Sequence, residues 1–343
     1  QYLAYRELMA AVRQHHAASG SAVLLDAHNG EVLAMVNQPS YNPNNRAGLK
    51  PAYMRNRALA DVLEPGSTMK PFTVAAALDS GRYTPSTLVD TSPGYLRVKN
   101  KTIRDHRDYG VLDVTGVITK SSNVGVTLIS ADLGAETVFK IMSAAGLGQA
   151  TGLGFPGESV GILPYPEQMD DLRLATVSYG YGMAVSPLQL AQSYTSFTQH
   201  GCRLNATLLL DSESRPDCQR VMSDKVARQV LDILETVTSD LGTGRRARVA
   251  GYRVGGKTGT AHKVGENGYE DATYNAVFAG IAPLTDPDLV LVVAIDEPQG
   301  REYYGGEVAA PVFSRIMEQA LRLRQIAPDD STAASLIVAG GPK

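Results

Sequence analysis

The sequence predicts an α+β domain, and three observations carry that reading. β-rich runs fall near both ends of the chain, at 21–26 and 31–37 and again at 252–260, 276–282 and 289–295. Helical periodicity fills the stretch between them, so the N- and C-terminal strands are expected to share one sheet. Apolar residues make up 43% and charged residues 20% of the 343 positions, which excludes disordered and collagen-like chains. The formal charge of −3 argues against nucleic acid or an anionic membrane as the main partner. The longest apolar run, 289–295, is far below the ~18 residues of a membrane span.

Residues 1–20 read as a mostly helical lead-in closed by Ser19-Gly20. The chain opens at Gln1 with no initiator Met or leader, and is expected to be part of a longer or processed protein. Asn29-Gly30 between the first two β runs predicts a hairpin, with the Asn29-Gly30 pair supplying the positive φ of a tight turn. The Pro/Asn/Arg-rich stretch 38–57 is too polar for a core element. Pro65-Gly66 opens an Ala-rich helix that runs to about Ser80. From 113 to 145 the pattern is helical, with breaks at Ser121-Ser122-Asn123 and Leu133-Gly134. Residues 187–200 predict an amphipathic helix, 223–238 another, and 308–323 a closing helix before a loose tail. Gly152-Leu-Gly154-Phe-Pro-Gly157 fits the dinucleotide-binding pattern by letter. No strand precedes it, Pro156 interrupts it and no helix follows, so it reads as a turn. The six His are scattered and the two Cys lack zinc spacing, so no metal site and no cofactor are expected.

Three short motifs carry chemistry. In Glu64-Pro-Gly-Ser67-Thr-Met-Lys70-Pro-Phe, a helix starting at Ser67 puts the Lys70 amine on the same face as the Ser67 hydroxyl. A serine needs a base to become nucleophilic, and a desolvated lysine can serve. Bringing a Lys from ~10.4 to ~7–8 requires roughly 4 kcal/mol, from burial or a second cation. Pro71 lacks an N–H, so the Ser67 carbonyl is expected to lose its helical partner. Ser121-Ser122-Asn123 offers a second hydroxyl to relay a proton and an amide to hold a carbonyl. Lys257-Thr-Gly-Thr260 ends a β run, where an extended peptide could add along the edge. Taken singly, each reads as readily as a helix cap or a strand end with a solvated lysine. In this order, together, they are the combination of penicillin-binding proteins and class A β-lactamases. A Ser/His/Asp hydrolase is poorly supported, since no Gly-x-Ser-x-Gly surrounds Ser67.

Longer runs sharpen the resemblance. Tyr41-Asn-Pro-Asn-Asn, Arg55-Asn-Arg57, the Ser67 run, Lys120-Ser-Ser-Asn-Val-Gly125, Tyr179-Gly-Tyr-Gly182, Gly251-Tyr252, Lys257-Thr-Gly-Thr260 and Tyr304-Gly-Gly306 resemble the transpeptidase domain of class B penicillin-binding proteins, most closely the division-specific (septal) type of Gram-negative bacteria. The resemblance implies a β-lactamase/DD-peptidase-like fold, an antiparallel sheet with helices on both faces. It places the penicillin-binding domain at 21–327, with 1–20 as the remnant of a linker or pedestal and 328–343 as a tail. It implies a periplasmic domain of a protein anchored in the inner membrane by a segment outside this chain.

The implied activity is cross-linking of peptidoglycan stem peptides ending in D-Ala-D-Ala, through an acyl-enzyme on Ser67 that β-lactams also form. By the same mapping Lys70 is the base, Ser121 and Lys257 shuttle protons and Asn123 holds the acyl chain. Backbone N–H groups of Ser67 and Thr260 form the oxyanion hole, where one donor is worth ~2.7–4 kcal/mol. Thr258, Gly259 and Thr260 bind the terminal carboxylate or its β-lactam mimic, with Ser122, Tyr179, Tyr181, Glu64 and Tyr304 as further ligand contacts. The implied partners are a septal glycosyltransferase and division proteins. A serine β-lactamase and a β-lactam-sensing or scaffold module are the rival readings. Against the first, neither Glu158 nor Glu167 has the Glu-x-x-Leu-Asn surroundings of a hydrolytic loop. If the domain is extracytoplasmic, Cys202 and Cys218, which bracket a polar loop, suit a disulfide.

Overall fold

In the computed structural model, residues 1–45, 47–209, 218–265 and 268–330 are described, with the backbone alone for 264, 265 and 268–272. The hairpin read from Asn29-Gly30 is there: β1 (Ser19–Asp26) pairs antiparallel with β2 (Val32–Gln38). Gly30 has φ +77°, and a Cβ on it would meet the Asn205 carbonyl oxygen at 2.3 Å. β3 (Gly255–Gly265), β4 (Gly268–Ala282) and β5 (Leu289–Asp296) complete a five-stranded antiparallel sheet in the order β2-β1-β5-β4-β3. The first strand thus lies against the last, as expected. β3 begins three residues later than its β-rich run suggests and extends to Gly265.

Both faces of the sheet are covered, and the period-two alternation shows it. Along β5, Val290, Val292 and Ala294 enter one core, while Leu289, Leu291, Val293 and Ile295 enter the other. The second core is closed by α1 (Tyr2–Gln14), through Ala4, Leu8 and Ala11, and by the C-terminal helix Gly305–Leu323, through Val308, Phe313 and Ile316. The lead-in therefore packs as part of this layer.

The first core is built from α2 (Lys70–Asp79), α3 (Val114–Thr119), α4 (Asn123–Leu133), α5 (Ala135–Ala144), α6 (Asp171–Ser178), α7 (Pro187–Thr198) and α8 (Asp224–Thr238). The two expected breaks separate α3 from α4 and α4 from α5. Asp113 and Ser223 cap α3 and α8 through their side chains. The helix expected to be amphipathic over 187–200 is not: all twelve residues of α7 are buried. Its Ser193, Thr195, Ser196 and Thr198 hydroxyls donate to carbonyls three residues back at 2.6–2.8 Å, so the polar groups are satisfied inside the helix itself. α6 is not legible in the periodicity.

Two loop expectations are corrected. In the polar stretch after β2, a single turn at Arg57–Ala60 buries Ala58 and Leu59 completely, and the Asn37 side chain accepts the Ala58 N–H. At the tail, Asp329 accepts the N–H groups of Arg253, Leu284 and Thr285 at 2.7–3.1 Å, so the chain stays docked to residue 330. Residues 331–343 of the expected tail lie outside the described residues. The glycine-rich 152–157 segment is a run of turns, with Gly152, Gly154 and Gly157 at positive φ. Cys202 and Cys218 are joined by a disulfide.

Candidate active site

Ser67 sits on a 3-10 turn, Gly66–Met69, that leads into α2. Pro71 cannot donate, but the Ser67 carbonyl is not left bare. It accepts the Lys70 N–H one residue earlier, and that is what tightens the turn. The turn is held from three sides. Gly66 N–H donates to the Gly180 carbonyl at 3.1 Å, the Thr68 hydroxyl to the Pro65 carbonyl at 2.8 Å, and the Tyr194 hydroxyl, from buried α7, to the Thr68 carbonyl at 2.8 Å. Gly259 of β3 allows the close approach, since a Cβ there would stand 2.6 Å from the Pro65 carbonyl oxygen. The role of Gly259 is thus to seat the nucleophile turn against the sheet edge.

Lys70 is fully buried. Its Nζ donates to the Ser121 carbonyl at 2.5 Å, the Ser121 hydroxyl at 3.1 Å and the Asn123 side-chain oxygen at 2.7 Å. Lys257, fully buried on β3, donates to the same Ser121 hydroxyl at 2.9 Å. Ser121 presents both groups because it holds φ +57°, a left-handed conformation that costs a non-glycine residue energy. Burial pushes the Lys257 amine down to about 7. Burial, and then the neighbouring Lys257 charge, hold Lys70 well below the usual lysine range, against the pull of Asp105. Removing the two ammonium groups from water thus supplies the low pKa values that a lysine base requires.

Asp105 is the residue sequence reasoning missed. It accepts the Ser122 hydroxyl at 2.6 Å and the N–H groups of Asn123 and Val124 at 2.5 and 3.0 Å, fixing the start of α4. Asn123 in turn donates its amide to the Arg104 carbonyl at 2.9 Å. Ser122, expected at the ligand, is buried: it caps α4 through the Gly125 N–H and donates to Asp105. Nothing in the spacing of Asp105 to the Ser-x-Asn motif marks it.

Ser67, Ser121, Asn123, Thr258 and Thr260 line one cleft of about 700 Å³. The Thr260 hydroxyl accepts the Gly305 N–H at 2.9 Å, and the Thr258 hydroxyl shares a 2.8 Å hydrogen bond with that of Thr243. The far wall is aromatic: Tyr274, Tyr303 and Tyr304 stack in succession with centroids 4.4 Å apart, and His262 leans on Tyr274. Tyr304 and Tyr181 line the cleft. Tyr179 does not; it packs on the core and edge-on against Tyr181. Glu64 faces a neighbouring cavity of about 680 Å³, where it accepts the Gly182 N–H at 2.7 Å. Arg246 crosses the lip, donating to Glu302 and to the Glu307 carbonyl. Among the described residues no group of His, Cys, Asp and Glu could hold a metal ion.

The penicillin binding protein transpeptidase domain family matches residues 20–318. The chain belongs to this family. Among the relatives of this penicillin-binding transpeptidase domain, a probable peptidoglycan D,D-transpeptidase, PbpC of Pseudomonas aeruginosa, is 43% identical over 96% of the chain and 58% of its own length. Peptidoglycan D,D-transpeptidase FtsI of Escherichia coli is 43% identical over 97% of the chain and 56% of its own length. The transpeptidase domain thus spans a little over half the length of these curated relatives. Among solved structures, the transpeptidase domain of penicillin-binding protein 3 from Burkholderia pseudomallei superposes with a TM-score of 0.88 at 42% identity, covering 96% of this chain and 95% of that one. The α+β, antiparallel-sheet architecture is thereby that of the family.

Proposed function

We propose that this domain is the catalytic part of a peptidoglycan D,D-transpeptidase and a covalent target of β-lactams. The observation that carries the proposal is the convergence of two buried lysines on one hydroxyl, 3.1 and 2.9 Å from the Ser121 oxygen, beside a serine on a helix-start turn. The names of the relatives, D,D-transpeptidases, agree with it.

Neutral Lys70 takes the Ser67 proton as the hydroxyl oxygen attacks the carbonyl between the two terminal D-alanines. The oxyanion is met by the backbone N–H groups of Ser67 and Thr260, the latter on the edge strand of the sheet. Collapse breaks the C–N bond, and the departing amine of D-alanine takes its proton from the Lys70–Ser121–Lys257 chain. The ester on Ser67 remains. An amine from a neighbouring stem then attacks it, gives up a proton to the same chain and returns Ser67 as a hydroxyl. Asn123 has one amide N–H left for the acyl chain, since Oδ1 accepts from Lys70 and the other N–H binds Arg104. The hydroxyls of Thr258 and Thr260 receive the terminal carboxylate.

Transfer to an amine is favoured over hydrolysis because, among the described residues of the loops between the second and third motifs, no carboxylate lines the cleft to activate water. Glu158 accepts the Thr151 N–H at 2.6 Å within its own loop, and Glu167 lies in the Pro166–Gln168 turn; neither lines the cleft. A septal role, a periplasmic location, a membrane anchor outside this chain, and a septal glycosyltransferase and division proteins as partners bound through regions outside this chain are proposed on the septal-type runs. Among the described residues no helix is long and apolar enough to cross a membrane. The test is intact-mass spectrometry after removing excess penicillin. A penicilloyl adduct on Ser67 should survive from many minutes to hours at neutral pH; its loss within seconds, with steady drug turnover, would make the protein a β-lactamase.

A further inference from the structure

Beside the cleft stands a small hairpin, Tyr95–Val98 paired with Lys101–Arg104, whose charge does not match the rest of the chain. Between Tyr95 and Tyr109 there are five cations and two acids, in a protein of formal charge −3. Of the two acids, Asp105 is turned inward to Ser122 and the start of α4. All five cations are exposed. Lys99 is committed to Asp170, but Arg97, Lys101, Arg104 and Arg107 have no carboxylate within ion-pair distance among the described residues. Register puts Tyr95, Arg97, Thr102 and Arg104 on one outer face, while Ile103 is buried on the other. The Arg104 guanidinium lies over the Tyr95 ring at 5.5 Å and that of Arg107 over Tyr109 at 5.3 Å. Such stacking holds the guanidinium planes in place.

The hairpin is also wired to the catalytic residues. Its Arg104 carbonyl accepts the Asn123 amide at 2.9 Å, and the next residues, Asp105 and His106, respectively anchor α4 and form a cleft wall, where His106 meets Tyr304 edge-on at 5.9 Å. His106, in the cleft wall, is two residues along the chain from Arg104 of the hairpin.

We infer that this hairpin is the docking surface for the substrate strand, binding carboxylates of the glycan-linked stem peptides that flank the one being acylated. The inference rests on the transpeptidase reading, which supplies a substrate that is a carboxylate-bearing polymer. Charge complementarity selects that occupant, and exposure makes the contact screened, with a range of ~10 Å at 0.1 M salt. Each exposed contact contributes a factor of roughly two to five in affinity.

The experiment compares wild type with the double variant Arg97→Gln/Arg107→Gln on two readouts: binding of soluble uncross-linked peptidoglycan strands at low salt, and the rate of Ser67 acylation by penicillin. The variant should bind strands about five- to twentyfold more weakly, with a shallower salt dependence, and acylate within twofold of wild type. Arg97→Lys/Arg107→Lys should keep the binding. If the double variant does not fold, Arg97→Gln alone, on the exposed face, should show about a two- to fivefold loss. Equal strand affinity in wild type and variant overturns the inference. So does equal binding of strands stripped of their stems, or charge-dependent binding to anionic lipid vesicles but not to strands. A wild-type protein whose Ser67 takes no penicillin refutes the transpeptidase reading instead, whatever the strands do.

Discussion

Lys257 donates to the Ser121 hydroxyl at 2.9 Å, the same oxygen that Lys70 reaches from the nucleophile helix at 3.1 Å. Two cations that would repel each other in water share one acceptor because both are buried, and burial moves them toward the neutral state. The first prediction follows from this. Folded Lys257 titrates at about 7, against ~10.4 in an unfolded chain. Between those values the unfolded chain carries a proton that the folded one has released. Stability therefore rises with pH across that window, by at most about 1.4 kcal/mol per pH unit for this lysine. Lys70 shifts in the same direction and adds to the rise. Denaturant unfolding from pH 7 to 10 should show a shallower rise in Lys257→Met; an unchanged slope would refute the assignment.

Ser67→Ala should abolish labelling by a fluorescent penicillin with the fold intact, and Lys70→Arg should come close to it. A guanidinium with a pKa above ~12 keeps the charge but cannot accept the serine proton. Acylation of Lys70→Arg within tenfold of wild type would reduce Lys70 to an electrostatic role.

Asp105→Ala removes three hydrogen bonds to Ser122, Asn123 and Val124 in one step. An unsatisfied buried polar group costs about 1–3 kcal/mol, so the variant should lose about that much stability. Acylation by penicillin should slow at least tenfold, as Ser121 and Asn123 lose their anchor. Asp105→Asn can still accept both N–H groups, and should recover most of the loss when acylation is followed by stopped flow.

The Cys202–Cys218 bond closes a loop at a sequence separation of 16, worth about 3 kcal/mol by chain entropy. Cys202→Ala/Cys218→Ala should lower the unfolding free energy by about that amount while leaving penicillin acylation intact. Unfolded, non-reduced wild type should show no titratable thiol, and two free thiols would contradict the bond.

Much of this was legible from residues close together in the chain. Asn29-Gly30 specified a turn that its φ angles require, and Asp113 and Ser223 marked helix starts they do cap. The turn at Ser67 and the helix that follows it are read from Pro65-Gly66, although Ser67 lies on a 3-10 turn and the α-helix starts at Lys70. Such features depend on a few adjacent dihedrals, which local residue types control. The family runs named Ser121, Asn123, Thr258 and Thr260, which line the cleft, and the buried Lys257, but not what each one touches.

Tertiary structure alone decided the rest. Ser122 and Tyr179 sit within runs whose neighbours face the cleft, yet both point inward, because α4 needs a cap and the core needs a ring. Asp105 acquires its role only when the 95–104 hairpin folds back onto the start of α4. α7 looks amphipathic, but sheet, α2 and α8 enclose it on all sides, so its hydroxyls turn to their own backbone. The low pKa of two lysines has no signature in their neighbours along the chain. It arises because an antiparallel sheet places Lys257 across from Ser121, 136 positions away, and excludes the water that would keep both amines charged.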